Sequence, residues 1–231
     1  MTEVIHKVYR RLIDMFGKSW FCVVTLVLFS INTLWLSLSS NLLPYDEYYH
    51  VGIIRFYAQQ WAPFISSQPA EMSLYGDITR LPSYLYQYLM SFPYRFFDLF
   101  TDSETLIIIG LRLLNLGMVI VGIILFRRLF LKAKVPKILI NLSTLVFVFT
   151  PIVPLLAAQN NYDNLMFMLT PIVLILAFKC VEEKFSLTNL LCLATVGMLA
   201  TLTKHNFIVI FGAVTLYVLF VLINRHRQSI F

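Results

Sequence analysis

The sequence predicts an all-α membrane protein, a polytopic bundle of about six transmembrane helices. Hydrophobic residues make up 59% of the 231 residues, only 13% are charged, and the mean hydropathy is +0.78. A soluble domain of this length needs far more polar surface. Apolar stretches long enough to cross roughly 30 Å of hydrocarbon cover residues 20–38, 106–126, 138–156, 165–181, 187–203 and 207–223. Because unpaired backbone groups are costly in lipid, these stretches are expected to be helices.

The distribution of cations predicts the orientation of the bundle. With six spans, thirteen of the eighteen Lys and Arg residues fall on the side of the N-terminus. Since Lys and Arg near span ends are retained in the cytoplasm, both termini are expected inside the cell, in an integral plasma membrane protein. Residues 1–19 then form a cytoplasmic N-terminus, 20–223 the transmembrane module and 224–231 a cytoplasmic tail. The basic pI of about 9.3 reflects this topology, and nucleic acid is not an expected partner.

One connection, residues 39–105, is a long extracytoplasmic loop. A structureless loop of this length is uncommon unless it is functional. Two parts of it, residues 45–61 and 81–100, carry aromatic and aliphatic residues at helical spacing. Both are predicted to be helices that lie along the membrane interface with their aromatic side down.

The first residues of that loop are the strongest candidate site. The run Pro44-Tyr-Asp-Glu-Tyr-Tyr-His50 places Asp46 and Glu47 directly after the first span. Acids are costly near hydrocarbon, so two adjacent acids at a membrane mouth indicate a site. In a helix both acids share a side with His50. This spacing is typical of metal ligands but supplies a partial shell, and the alternative is that His50 only hydrogen-bonds an acid.

Other ionisable residues fall on the same predicted face. Asp163 lies in the connection 157–164, Lys204 and His205 lie in the connection 203–206, and Arg80 and Arg112 also lie outside. Each has a purely structural alternative, because Asp163 can cap the next helix and Lys204 can extend to lipid headgroups. Their occurrence in separate outer connections favours one shared site.

These motifs resemble the N-terminal module of GT-C glycosyltransferases. The resemblance rests on the acidic pair after the first span, Leu111-Arg-Leu-Leu-Asn115, Tyr162-Asp163 and Thr203-Lys204, and it extends over residues 20–223. The chain is similar to a bacterial multi-pass family with a Pro-x-Asp-Glu-x-x-His first-loop motif. The superfamily, which includes protein O-mannosyltransferases and the lipid A aminoarabinose transferase, takes sugars from polyprenyl-phosphate carriers on the outer or lumenal side. The resemblance implies that Asp46 is the first-loop catalytic acid, Glu47 its neighbour and Asp163 the acid of the second outer loop.

The residue types suit this chemistry. A carboxylate can accept the proton of an acceptor hydroxyl as it attacks the anomeric carbon, a role expected of Asp46 with Glu47 as its substitute. Cations stabilise the negative charge that builds on the carrier phosphate, and the candidates are Arg80, Arg112 and Lys204, with His205 behind them. A single displacement inverts the anomeric centre.

The resemblance leaves the cofactor and the partners open. Some relatives use a divalent cation such as Mg or Mn, for which Asp46, Glu47 and His50 are the candidate ligands. The acceptor is a glycan, a lipid or a protein of the cell envelope. Because such enzymes usually have more spans, the resemblance leaves room for a partner membrane subunit.

The alternative function is that of a non-catalytic membrane protein. A transporter subunit, a lipid-binding scaffold or a partner of a glycosyltransferase has the same composition. Transporters place ionisable residues near the bilayer midplane. The predicted span interiors here are nearly free of charge, which favours chemistry at the outer mouth.

Overall fold

The computed structural model describes residues 14–38, 43, 46–65, 67–76, 78, 84–182 and 186–228, and this part of the chain contains helices and no strand. The α-helices are α1 (Ser19–Ser37), α2 (Glu47–Ala58), α3 (Leu85–Asp98), α4 (Glu104–Lys132), α5 (Lys137–Phe149), α6 (Ile152–Ala157), α7 (Tyr162–Glu182), α8 (Leu187–Thr203) and α9 (Phe207–Gln228). A 3₁₀ helix, Ala70–Tyr75, lies between α2 and α3.

Four of these helices are long and apolar enough to cross a membrane, as expected of a membrane protein. They are α1, α4, α7 and the stretch Phe207–Arg225 of α9. Two further apolar helices, α5 and α8, are shorter. Large apolar side chains face outward on these helices, and Trp35 in α1 is 79% exposed. Six spans and the orientation of the bundle stay predictions, because four of the described helices reach spanning length.

The predicted span 138–156 is not one helix. It consists of α5, which ends at Phe149, and the short α6, which begins at Ile152. Thr150 between them has extended backbone geometry, with ψ of 119°. Pro151 explains the break, because proline disfavours helical geometry in the residue before it and has no N–H to donate.

The helix α4 has well-defined ends. Glu104 lies in its first turn and Lys132 in its last turn, so both charges complement the helix dipole. After α4, Lys134 has a left-handed backbone with φ of 59°. The N–H of Val135 donates to the carbonyl of Phe130 at 3.0 Å, which closes the helix with a Schellman motif.

The helices of the long loop form a pair above the bundle. The predicted segments 45–61 and 81–100 contain α2 and α3, which pack against each other, and α3 also contacts α4, α7 and α8. On α2, Ile53 and Tyr57 are buried against Ile78 and Tyr84. This face of α2 therefore packs on protein, and the prediction that its aromatic side lies on the bilayer was wrong.

The core lies between α4 and α7. At Gly122 of α4, a β-carbon would stand 2.5 Å from the ring of Phe167 in α7. Only a residue without a side chain allows this approach. Further along, Leu165, Leu169 and Val173 of α7 belong to a buried cluster that continues into α8 and α9.

Replacement of Gly122 by valine is expected to destabilise the bundle, because the new side chain collides with Phe167. Overpacking of this kind costs about 1 to 3 kcal/mol. The matched control is Gly117→Val on the same helix, where a β-carbon meets nothing within 4 Å. Thermal unfolding in detergent measures both, and equal losses for the two variants would contradict the packing described here.

Candidate functional site

A buried ion pair organises one end of the bundle. Glu47, the first residue of α2, and Arg112 of α4 are 0% and 1% exposed. Arg112 Nε donates to Glu47 Oε1 at 2.9 Å and its Nη2 donates to Oε2 at 2.6 Å. Both carboxylate oxygens also accept backbone N–H groups, from Leu43 at 2.6 Å and from Asn160 at 2.9 Å. The bidentate geometry and the extra donors offset part of the cost of removing two charges from water.

Amide side chains extend this pair into a buried network. Asn160 Nδ2 donates to Glu47 Oε1 at 3.1 Å, and Asn115 Nδ2 donates to Asn160 Oδ1 at 3.1 Å. The Oδ1 of Asn115 accepts from the Tyr86 hydroxyl at 2.9 Å and from Asn164 Nδ2 at 3.1 Å. The network thus joins α2, α3, α4 and the start of α7 at one end of the bundle.

Replacement of Glu47 by glutamine is expected to lower the free energy of unfolding by about 3 to 5 kcal/mol, because it leaves the Arg112 charge buried without its counter-charge. The matched control is Lys132→Ala. Lys132 pairs with Glu182 at 2.8 Å, but their side chains are 31% and 49% exposed. Such a pair contributes less than about 1 kcal/mol. Thermal unfolding in detergent compares the two variants, and similar losses would show that the buried pair has no special role.

Above this network lies a cavity of about 390 Å³. It opens between α2, the start of α3, the start of α7 and the connection between α8 and α9. Its lining residues are Asp46, Tyr49, His50, Tyr84, Gln87, Tyr162, Thr203, Lys204, His205 and Asn206. The cavity therefore combines aromatic rings, one acid, one lysine and two imidazoles.

Asp46 supplies the acid of this cavity. It precedes α2 and is exposed, in contrast to Glu47 beside it, and its side chain makes no capping hydrogen bond to the helix. Nearby, the hydroxyls of Tyr49 and Tyr84 lie 3.2 Å apart. Burial raises the pKa of Tyr49 above its ordinary value, and the hydrogen bond to Tyr84 and the charge of Asp46 add to this. Tyr49 is therefore a neutral hydroxyl beside a carboxylate.

Lys204 supplies the cation. Its Nζ donates to Asp163 Oδ1 at 2.7 Å and lies 4.7 Å from the centre of the Tyr162 ring. Burial acts to lower the pKa of Lys204, but the hydrogen bond and the charge of Asp163 outweigh it, so the pKa is raised above its ordinary value. The side chains of Lys204 and Asp163 remain 27% and 41% exposed. A charged, partly accessible ammonium group thus faces the cavity.

His50 forms the buried wall of the cavity. It is fully buried, its Nδ1 lies 2.9 Å from Gln87 Nε2, and its ring meets that of Tyr162 edge-on at 4.6 Å. Burial, together with the nearby charge of Lys204, lowers the pKa of His50 to about 3. His50 is therefore neutral at pH 7 and acts as a hydrogen-bonding group.

The lowered pKa of His50 predicts a loss of stability in acid. The unfolded chain binds a proton at about pH 6.5, whereas folded His50 binds one only near pH 3. Between these values the unfolded state holds more protons, so the free energy of unfolding falls as the pH falls from 6.5 towards 3. In the His50→Gln variant, the thermal unfolding midpoint should depend less on pH over this range. An unchanged pH dependence in that variant would show that His50 is not the group that causes the loss of stability in acid.

Two further cavities in the described part of the chain have a different character. One of about 270 Å³ lies between α4, α5 and α7 and is lined mainly by aromatic and aliphatic residues, with Arg127, Ser143 and Thr144. Another of about 440 Å³ lies between α7 and α9 and contains a single acid, Glu182. Neither combines an acid with a cation, as the cavity at Asp46 does.

The candidate residues predicted from the sequence separate into three groups. Asp46, His50, Lys204 and His205 line the cavity, and Asp163 contacts it through Lys204. Glu47 and Arg112 lie beneath the cavity, in the buried pair. Arg80 lies outside the described residues.

The donor set predicted for a metal does not fit a divalent cation. Both oxygens of Glu47 are bonded to Arg112 and to backbone N–H groups, which removes one of the three predicted ligands. Within the described ranges, no group of three His, Cys, Asp or Glu residues is placed to hold a metal ion.

Sequence reasoning missed the neutral members of the site. Gln87 is uncharged, so nothing in the aromatic-rich sequence of α3 identifies it as a site residue. Tyr49 and Tyr84 are typical of the aromatic residues found at a membrane interface. Asn115 and Asn164 do carry a signal, because amides in apolar helices need buried partners.

Comparison with known proteins adds no relative: no protein-family model, curated protein or solved structure matches this chain.

Proposed function

We propose that this chain is a GT-C-type membrane glycosyltransferase that moves a hexose from a polyprenyl-phosphate carrier to an acceptor hydroxyl on the extracytoplasmic face. One observation carries the proposal. Asp46, the Lys204–Asp163 pair and His205 come from distant parts of the chain, yet they meet at one cavity at the end of an apolar bundle.

The chemistry needs an accessible base, and Asp46 suits this role. It is exposed at the cavity, whereas every oxygen of Glu47 is engaged with Arg112 and with backbone donors. Asp46 accepts the proton of the acceptor hydroxyl as the hydroxyl oxygen attacks the anomeric carbon. We assign Glu47 and Arg112 to positioning, because their pair fixes the start of α2 and hence Asp46.

The chemistry also needs a cation at the leaving group, and Lys204 suits this role. The bond between the anomeric carbon and the phosphate oxygen breaks, and its electron pair stays on the phosphate. The Lys204 ammonium, with His205 beside it, stabilises that charge. Asp163 holds the ammonium in place through its 2.7 Å hydrogen bond. One displacement of this kind inverts the anomeric centre.

The position of the cavity suits a lipid-linked donor. The bundle below it presents apolar side chains to the bilayer, so a polyprenyl tail can stay in hydrocarbon while its phosphate meets Lys204. In a bundle of six spans in the plasma membrane, the excess of cations on the N-terminal side supports an extracytoplasmic location for the cavity. The acceptor is a glycan, a lipid or a protein, and a partner membrane subunit can contribute to its binding.

Replacement of Asp46 by asparagine should lower turnover by about 10²- to 10⁴-fold, because the amide cannot accept the hydroxyl proton. The assay uses the full chain in nanodiscs, polyprenyl phosphates that carry radiolabelled glucose or mannose, and a membrane extract as the source of acceptors. It measures release of the polyprenyl phosphate and transfer of label.

The matched control is Asp102→Asn, because Asp102 is an exposed carboxylate just before α4 that does not line the cavity. It should keep full turnover and an unchanged unfolding temperature. Transfer that persists in Asp46→Asn would exclude Asp46 as the base. Absence of transfer with intact donor binding would favour the lipid-binding scaffold.

A further inference from the structure

Two buried polar atoms at the cavity have no hydrogen-bond partner among the described residues. They are His50 Nε2 and Gln87 Oε1. Both side chains are 0% exposed, and both line the cavity. Buried polar groups in folded proteins are nearly always satisfied, so two unpaired atoms on residues that line one cavity point to a ligand.

The two atoms have complementary hydrogen-bonding roles. Gln87 Nε2 lies 2.9 Å from His50 Nδ1, and an amide nitrogen can only donate. The proton of neutral His50 then sits on Nε2, which is a donor, while Gln87 Oε1 is an acceptor. If the amide is reversed, Gln87 accepts from Nδ1–H, and the roles of the two free atoms are exchanged. Either arrangement leaves one donor and one acceptor without a partner within the described chain, on two neighbouring residues that line the cavity.

A hydroxyl group matches such a pair, because it donates one hydrogen bond and accepts others. A phosphate or carboxylate offers acceptors alone, and an ammonium group offers donors alone, so neither satisfies both atoms. The surroundings also suit a sugar. The rings of Tyr49, Tyr84 and Tyr162 line the same cavity and offer apolar faces, which leaves a few polar groups to orient the ligand.

We propose that His50 and Gln87 form a subsite that binds one hydroxyl of the donor hexose and thereby selects which sugar is accepted. This inference rests on the proposed function. It adds a specificity-determining pair on the wall of the cavity, apart from the base Asp46 and the cation Lys204.

A contrast within the chain shows why the cavity matters. The side-chain amide of Gln159 is also buried without a partner in the described part of the chain. Both Nε2 and Oε1 of Gln159 are unpaired there, but Gln159 does not line the cavity. We therefore assign no ligand to it.

The test is equilibrium binding of radiolabelled farnesyl-phosphate hexoses to the full chain in nanodiscs. The Asp46→Asn variant is used, so that the donor is not consumed. The probes are farnesyl-phosphate glucose, mannose and galactose, with their 3-, 4- and 6-deoxy analogues. Loss of the recognised hydroxyl should weaken binding by about 10- to 100-fold at one position only, since a site built for a hydroxyl rejects the analogue that lacks it.

Gln87→Met, which removes the amide at similar volume, should abolish this preference. The intact sugar then binds as weakly as the deoxy analogue. If thermal unfolding shows that Gln87→Met does not fold, His50→Phe is the second variant and should abolish the preference in the same way. Ser91→Ala is the matched control, because Ser91 lies one turn further along α3, is equally buried and bonds to the carbonyl of Tyr88.

The outcomes separate this inference from the proposed function. Selective binding that Gln87→Met or His50→Phe removes supports the subsite, even if no transfer is ever seen. Equal binding of all deoxy analogues, or selectivity that survives both variants, overturns the subsite even if transfer occurs. Failure of every hexose to bind overturns it as well.

Discussion

The buried pair of Glu47 and Arg112 is the interaction on which the rest of the site depends. Arg112 Nη1 also donates to the carbonyl of Ser37 at 3.1 Å, so one guanidinium group joins the end of α1 to α2 and α4. Asn160 adds the junction of α6 and α7 through Glu47. Because a buried charge without its partner is very costly, these elements keep one arrangement.

The direction of α2 connects this pair to the cavity. Glu47 points into the bundle, and the preceding Asp46 is left exposed at the cavity. His50 follows one turn after Asp46, on the wall of the same cavity. A residue that does not line the cavity thus determines where the accessible acid and the neutral imidazole stand. The cation comes from another part of the cavity lining, where Asp163 of α7 holds Lys204.

The sequence predicted the helices well where apolar length decides them. The predicted span 187–203 and α8 have the same bounds, since Ser186 caps its start and the polar Lys204 follows its end. The length of the apolar stretch does not reveal the break at Thr150. Pro151 restricts the backbone of the residue before it, and this restriction leaves no trace in the hydrophobicity. The packing of α2 on the protein was missed as well, because aromatic residues suit both a core and an interface.

The site was predictable only through its charges. Asp46, Lys204 and His205 are conspicuous, because ionisable groups near a bilayer are costly. Which of the two adjacent acids is buried depends on Arg112, far away in the chain, so the sequence alone left both as candidates. Gln87 was not identifiable, because a neutral amide becomes informative only when its neighbour His50 and the cavity are known.

In the proposed function, the cavity between Asp46 and Lys204 receives a lipid phosphate. A short polyprenyl phosphate with a diazirine group next to the phosphate tests it most directly, with photolabelling of the full chain in nanodiscs and peptide mapping by mass spectrometry. We expect label on the segments 46–50 and 203–206, and competition by unlabelled polyprenyl phosphate. Label confined to residues around Arg127, in the cavity between α4, α5 and α7, would contradict the account.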